Sequence, residues 1–184
     1  MNTQSVIARP RRTRTLRLAL AFVALVGIVT SACVSESTPS QPVPVANIVG
    51  EPCMPGVGVT VVVDFQALDD RISIGCAVGP QTDGLAALTN AGFTINNKPG
   101  APASTICQIN NQPTAGYPVC WLQNYWSYWK SDGSKTWSFS EVGVAAGPLP
   151  IDSFEGWSYS PFSEGDITGL KLRRTVNQIK ALRG

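Results

Sequence analysis

The sequence predicts an α+β fold in which a mixed sheet packs against one short helix. Three observations lead to this prediction: alternating apolar runs typical of strands, one helix-like segment after residue 82, and an aromatic-rich stretch over residues 121–139. That stretch contains four of the five tryptophans and two of the four tyrosines. Since aromatic side chains dominate small cores, we expect it to lie at the centre of the domain.

Residues 1–32 are typical of a signal peptide. Five arginines and no acidic residue precede an apolar run over residues 18–29, and small residues follow. The run is too short for a stable membrane span, and an uncleaved anchor is the alternative. Ser31-Ala32-Cys33 resembles the end of a bacterial lipobox. The resemblance implies lipidation of Cys33 and anchoring on the outer side of the cell membrane, whereas ordinary cleavage after Ala32 would give a secreted protein.

The remaining chain divides by composition into a tether, a domain and a tail. Residues 33–49 are rich in Ser, Pro, Thr and Val, which predicts a flexible tether. Residues 50–161 form the predicted domain, and residues 162–184 a basic tail. After residue 32, nine basic residues face twelve acidic ones, a net charge of −3 against +2 for the whole chain. The basic excess belongs to the leader, so no nucleic-acid partner is expected.

The cysteines fit an exported protein with disulfide bonds. With Cys33 set aside, four cysteines remain, an even number suited to an oxidising compartment: Cys53, Cys76, Cys107 and Cys120. They allow three pairings, and we favour Cys53–Cys76 with Cys107–Cys120 because each bond joins neighbours along the chain. The sequence has no Cys-x-x-Cys spacing and no histidine. We therefore predict no metal site and no cofactor.

The domain opens with a predicted hairpin followed by a helix. Two alternating runs, over residues 59–65 and 72–78, are separated by a turn and predict antiparallel strands. Thr82 or Asp83 can then cap a helix of about two turns, and Gly92 sits where such a helix ends. Further strands are expected at residues 105–109 and 154–159.

The aromatic stretch is interpreted as a hairpin with a two-residue turn at Asp132-Gly133. This register pairs Trp126 with Phe139 and Tyr128 with Trp137 on one face. We expect these four side chains to form the core beneath Leu85 and Leu88. The same register brings Lys130 and Lys135 together, which a longer loop would relieve. Trp121 is expected to pack against the neighbouring disulfide.

Three other aromatic residues are the predicted binding or interaction site. Tyr125 and Trp129 lie on the opposite face of the predicted hairpin, and Trp157 lies near the end of the sheet. Exposed aromatic patches tend to mark interaction surfaces. We therefore expect this face to meet a ligand or a partner.

Several segments also resemble the transcobalamin-like C-terminal domain family. The resemblance covers roughly residues 57–159. The segments that carry it are Asp83-Gly84-Leu85-Ala86-Ala87-Leu88, Ala91-Gly92-Phe93, Tyr125-Trp126-Ser127-Tyr128-Trp129 and Glu155-Gly156-Trp157. What it implies is a β-grasp-like fold and, as in the vitamin carriers, a face that closes over a corrinoid.

No catalytic arrangement is visible in the sequence. The absence of histidine excludes Ser-His-Asp and Cys-His arrangements, and no phosphate-binding loop occurs. We predict a non-enzymatic ligand-binding module on the cell surface, for a planar or hydrophobic small molecule such as a corrinoid. The alternative is an extracellular protein-interaction or structural module with no small-molecule ligand.

The basic tail has a helical pattern of its own. Apolar residues recur at helical spacing, and positively charged residues lie between them. The apolar residues are Leu172, Val176, Ile179 and Leu182. The pattern predicts an amphipathic helix that docks on the domain or lies on an anionic surface. A frayed, solvated terminus is the alternative.

Overall fold

The computed structural model describes residues 47–120, 123–145, 147–162 and 168–184, all within one compact unit. It confirms the α+β class. The strands are β1 (Asn47–Val49), β2 (Gly58–Asp64), β3 (Arg71–Val78), β4 (Ile95–Asn97), β5 (Ile106–Ile109), β6 (Asn124–Ser131), β7 (Ser138–Phe139) and β8 (Phe154–Pro161). The helices are α1 (Gly84–Asn90) and α2 (Val176–Lys180), with 3₁₀ turns at Gln66–Leu68 and Gly143–Ala145.

A six-stranded sheet in the order β1-β3-β2-β8-β6-β7 forms the centre of the described fold, and β4 and β5 pair separately. The predicted hairpin of β2 and β3 is antiparallel, with Val61 opposite Gly75. The other neighbour of β2 is β8, which runs parallel to it although the two strands lie far apart in sequence. The β6 strand then pairs antiparallel with β8 along its whole length. The two central strands, β2 and β8, are therefore each paired with a neighbouring strand on both edges.

Both faces of the sheet are covered, one by α1 and the other by residues 168–184, called the C-terminal segment below. On the α1 side, Val59, Val61 and Val63 of β2 pack with Ala87 and Leu88 of the helix. On the other side lies a second cluster made of Val62, Ile72, Ile74, Trp129, Trp137, Phe154, Leu172, Val176 and Ile179. Two covered faces explain why β2 is buried at every position, and not only on alternate residues.

Helix α1 begins as the sequence predicts. Of the two candidate caps, Asp83 takes the position, and its side chain accepts a hydrogen bond of 2.8 Å from the backbone N–H of Ala86. The helix ends before Gly92, which has a φ of 90°. Its first residue, Gly84, lies so close to the sheet that an added Cβ would be 2.5 Å from the Tyr128 hydroxyl. Only glycine fits there without displacing a neighbour.

The predicted register of the aromatic hairpin is wrong. Trp129 lies opposite Phe139 and Lys130 opposite Ser138, so β7 is displaced by three residues from the expected pairing. Residues 132–137 form a longer connection in place of the two-residue turn at Asp132-Gly133. In the observed register, Lys130 lies opposite Ser138 and not opposite Lys135.

The aromatic core predicted from that register is correct for two of its four members. Trp126 and Tyr128 belong to the cluster on the α1 side, as expected. Trp137 and Phe139 instead belong to the cluster beneath the C-terminal segment. The displaced register and the longer loop carry these two side chains to the opposite face of the sheet.

Packed residues extend beyond the predicted domain limits of 50–161 at both ends. At the amino end β1, which falls in the predicted tether, pairs in parallel with β3. At the carboxyl end, residues of the predicted tail are buried against the sheet, and α2 begins with a capping box formed by Thr175 and Gln178. The tail therefore docks on the domain and is not a frayed terminus.

An ion pair fastens the C-terminal segment to the sheet. Asp64, fully buried at the end of β2, accepts hydrogen bonds from the backbone N–H of Arg173 at 2.7 Å and from its Nε at 2.8 Å. The indole N–H of Trp137 donates to the carbonyl of Arg174, and Lys180 donates to the carbonyl of Gly133. These contacts hold the segment across the face that carries Trp129.

Both predicted disulfides are confirmed. Cys53 pairs with Cys76 and Cys107 with Cys120, with Cα–Cα separations of 4.7 and 5.3 Å. Two disulfides indicate folding in an oxidising environment. The predicted signal peptide, Cys33, most of the tether and Trp121 lie outside the described residues. Within those residues, no helix has the length and hydropathy needed to cross a membrane.

Candidate ligand-binding site

The three predicted site residues do not share one exposed face in the described part of the chain. Trp157 lies opposite Tyr128 on the α1 side of the sheet and is 1% exposed. Trp129 lies on the other side, beneath the C-terminal segment, and is 6% exposed. Tyr125 is half-buried, with its ring 6.0 Å from that of Phe162. The strand register separates the two tryptophans, and the docked tail covers the face that was expected to be open.

The structure instead brings Tyr125 and Trp157 to the wall of one cavity. This cavity, of about 480 Å³, lies along the outer edge of β6 and is called the β6-edge cavity below. Its aromatic lining residues are Tyr125, Trp126, Tyr128, Phe139, Trp157 and Phe162. The opposite wall is the chain that follows β7, residues 140–145. Trp129 does not line the cavity.

The cavity exists because β7 is short. After Phe139 the chain turns away, with the N–H of Ser140 donating to the carbonyl of Tyr128 and that of Gly143 to the carbonyl of Ser140. In β6, the backbone groups of Tyr128 therefore point away from β8. By the alternation of an antiparallel ladder, those of Trp126 point the same way. Since β7 has no residue opposite Trp126, this part of the strand edge borders open space.

The rim of the β6-edge cavity is apolar and open to solvent. Val142 is 72% exposed and Phe162 is 62% exposed, and they lie on two different walls. Small-molecule sites are typically concave and lined by apolar and aromatic side chains with a few polar groups. The polar groups here include Ser127, Ser140 and Glu141. The rings of Tyr125, Phe139 and Phe162 are partly or largely exposed at this cavity and offer surfaces for a flat, apolar molecule, whereas Trp126, Tyr128 and Trp157 form its buried floor.

Three of the seven unsatisfied buried polar atoms among the described residues lie at or directly behind this wall. The indole nitrogens of Trp126 and Trp157 and the Oε1 atom of Glu155 are buried with no hydrogen-bond partner among the described residues. Such atoms are uncommon in native proteins, and each costs about 1–3 kcal/mol. The other unsatisfied atoms belong to Arg71, Asn97 and Arg183. This wall is therefore less well satisfied than the rest of the apolar core.

The hydroxyl of Tyr128 joins the cavity wall to a buried carboxyl group. It donates a hydrogen bond of 2.9 Å to Oε2 of Glu155, which is fully buried on β8. Burial raises the pKa of Glu155 well above its usual range, against the opposing effect of the hydrogen bond from Tyr128. Burial, followed by the nearby Glu155, also raises the pKa of Tyr128.

A second cavity of about 540 Å³ lies beside the first. Its walls include the Cys107–Cys120 disulfide, Tyr117 and Tyr159. The rings of Tyr159 and Trp126 are 5.2 Å apart in an edge-to-face contact. Because Trp126 lines one cavity and Tyr159 the other, this aromatic pair lies between them.

Parts of the cavity wall are not predicted from the sequence. The sequence predicts Trp126 and Tyr128 in the core, and the structure places them both in the core and at the cavity. Phe162 fell outside the predicted domain. Glu155 carries a usable signal, since it is the one charged residue of a strand that also holds Phe154 and Trp157.

No family model, curated protein or solved structure matches this chain. The assignment of a site therefore depends on its geometry and chemistry. Within the described ranges, no group of three or more His, Cys, Asp or Glu residues could hold a metal ion.

Proposed function

We propose that this protein is a non-enzymatic, exported module that binds a planar, apolar small molecule in the β6-edge cavity. The observation that carries the proposal is an open cavity of about 480 Å³ whose walls hold six aromatic side chains. Its volume falls within the range of about 300–1,000 Å³ that is usual for small-molecule sites.

The topology supports a β-grasp-like fold as the finer description. A first hairpin, a helix (α1) that follows it and packs on one face, and a central parallel pair made by β2 and β8 support this description, while α2 on the other face is additional to it. It agrees with the resemblance to the transcobalamin-like C-terminal domain. A complete corrinoid is larger than the cavity, so the volume favours a smaller planar molecule, and corrinoids are test ligands because of the resemblance alone.

The proposed location is the outer side of the cell membrane. The two disulfides support an oxidising compartment. The basic, then apolar leader and the cysteine at position 33 support export and lipid anchoring. Release after cleavage at Ala32 is the alternative, and mass spectrometry of the mature amino terminus distinguishes the two.

Tryptophan fluorescence tests the proposed binding, because Trp126 and Trp157 both line the cavity. The chain is titrated with cobalamin, simpler corrinoids, haem and small planar aromatics. We expect at least one of them to quench the emission saturably. Substitution Phe162→Ala at the exposed rim should weaken that ligand about tenfold, the equivalent of about 1.4 kcal/mol. The matched control is Val78→Ala, an exposed apolar residue that does not line the cavity.

A flat response across the panel would contradict the proposed function. Equal weakening by Phe162→Ala and Val78→Ala would contradict the proposed location of the site. In both cases circular dichroism confirms that the variants are folded, which is expected because both positions are exposed.

A second candidate function, an extracellular protein-interaction module, is favoured by one observation. The outer edge of β6 at Trp126 carries backbone donors and acceptors beside two exposed apolar side chains, Val142 and Phe162. An extended segment of another protein can pair with such an edge. This function predicts that the small-molecule panel gives no response. It also predicts concentration-dependent association in analytical ultracentrifugation, which Phe162→Ala should weaken.

A further inference from the structure

Glu155 is the most completely buried charged group near the cavity. Its side chain projects from β8 toward α1, where Oε2 accepts the hydrogen bond from Tyr128 and Oε1 has no partner among the described residues. A charged carboxylate buried with a single donor is costly. Burial accordingly raises the pKa of this carboxyl group, and the site favours its protonated form.

The charged and titratable groups around Glu155 are few. From α1 the N-cap residue Asp83 adds a negative charge that works against ionisation. From β6 come Tyr128 and Lys130, and Lys130 lies directly opposite Glu155 and favours ionisation. From β2 the neighbour in register is Val61, which carries no charge.

The carboxyl group also lies where the first turn of α1 packs closely against the sheet; this contact is called the seam below. The first residue of α1, Gly84, packs onto it so closely that an added Cβ would be 3.0 Å from Oε2 of Glu155. The ring of Tyr128 lies in the cavity wall, with its centroid 4.8 Å from that of Trp157. Water reaches an ionised Glu155 only if this seam opens, which moves Tyr128 and therefore the cavity wall.

We propose that Glu155 is a proton-dependent positioning residue, which in its protonated form holds Tyr128 and the first turn of α1 closed against the sheet. Loss of the proton opens the seam and deforms the β6-edge cavity. The consequence for ligand affinity rests on the proposed function, whereas the opening of the seam does not.

The sign of the effect follows from the direction of the pKa shift. An unfolded glutamate has a pKa of about 4.3. Because the folded value is higher, the stabilisation is fully present below the unfolded pKa and is lost as the pH rises through the folded pKa. Within that window, the equilibrium constant for opening should rise about tenfold per pH unit, as expected for one proton.

Hydrogen exchange measured by mass spectrometry tests the seam directly. Exchange of peptides that cover α1 (Gly84–Asn90) and β6 (Asn124–Ser131) is followed between about pH 4 and 8, after correction for the intrinsic rate. The wild type should lose protection across this range. The variant Glu155→Gln should retain protection at all pH values, because its side chain does not titrate. The matched control Glu51→Gln, at an exposed position, should behave as the wild type does.

A second variant keeps the test decisive if Glu155→Gln does not fold. Tyr128→Phe removes the hydrogen bond that lowers the pKa of Glu155, so the loss of protection should move to higher pH. Equal pH dependence in wild type and Glu155→Gln would overturn the proposal, and so would an unchanged midpoint in Tyr128→Phe. If a panel ligand binds, its affinity should fall over the same pH window in wild type and not in Glu155→Gln. Failure of the whole panel removes the proposed function and leaves hydrogen exchange to decide the role of Glu155.

Discussion

Substitution Arg173→Met should release part of the C-terminal segment from the sheet. Asp64 is fully buried, and the guanidinium group of Arg173 approaches one of its oxygens to 2.7 Å. Removing one partner of a buried ion pair costs about 3–5 kcal/mol, because the remaining charge is left without compensation. The Arg173 side chain is 29% exposed. Asp64 also keeps hydrogen bonds from the backbone N–H groups of Arg173 and Gln66. We therefore expect a loss of about 2–3 kcal/mol.

Urea unfolding at neutral pH measures this loss, and acrylamide quenching of tryptophan emission reports whether Trp129 and Trp137 become accessible. The matched control is Arg174→Met, which removes the same charge from the next residue. The side chain of Arg174 makes no ion pair among the described residues, so its loss should fall within about 0.5 kcal/mol. Equal losses in the two variants, or a loss below about 0.5 kcal/mol in Arg173→Met, would refute the reasoning.

Two further changes test the packing of the sheet. Gly84→Ala should destabilise the protein by about 1–3 kcal/mol, since its Cβ would be 2.5 Å from the Tyr128 hydroxyl; a thermal unfolding scan measures this, and an unchanged midpoint would contradict the close contact. Replacing Cys53 and Cys76 together by serine should cost about 3 kcal/mol, because the bond closes a loop with a sequence separation of 23. Urea unfolding with and without reductant checks the second change, and a reductant effect of equal size in wild type and variant would argue against it.

Local patterns were enough to predict the first half of the domain. The β2–β3 hairpin follows from alternation and a short turn, and α1 follows from a cap at Asp83 and a glycine at its end. Both disulfides join cysteines that are near neighbours along the chain. In each case the residues that determine the structure are close in sequence, so the pattern contains the information.

The aromatic hairpin could not be predicted in the same way. Its loop is held partly by Lys180, which donates to the carbonyl of Gly133 from a helix near the end of the chain. The predicted turn considered only the local preference of Asp132-Gly133 for positive φ. Gly133 does adopt a positive φ of 86°, but it lies within a longer loop, and this dipeptide preference does not fix the register of β7.

The candidate site depended on the same long-range information. Trp129 appeared exposed because nothing in the sequence states that Arg173 pairs with Asp64 and brings Leu172 onto the sheet. Trp157 was correctly placed in a last strand, but its face is fixed by its pairing with Tyr128. A pattern of period two identifies alternate faces and does not say which one a distant segment will cover.

The parallel pairing of β2 with β8 has a consequence for the order in which the chain folds. The centre of the sheet joins Val61 to Glu155, so it closes only after most of the polypeptide has emerged. The β2–β3 hairpin and its disulfide need only the early residues, and they can form first. Oxidation of Cys53 and Cys76 would then precede closure of the sheet, giving the folding chain a covalently fixed hairpin on which its last strand assembles.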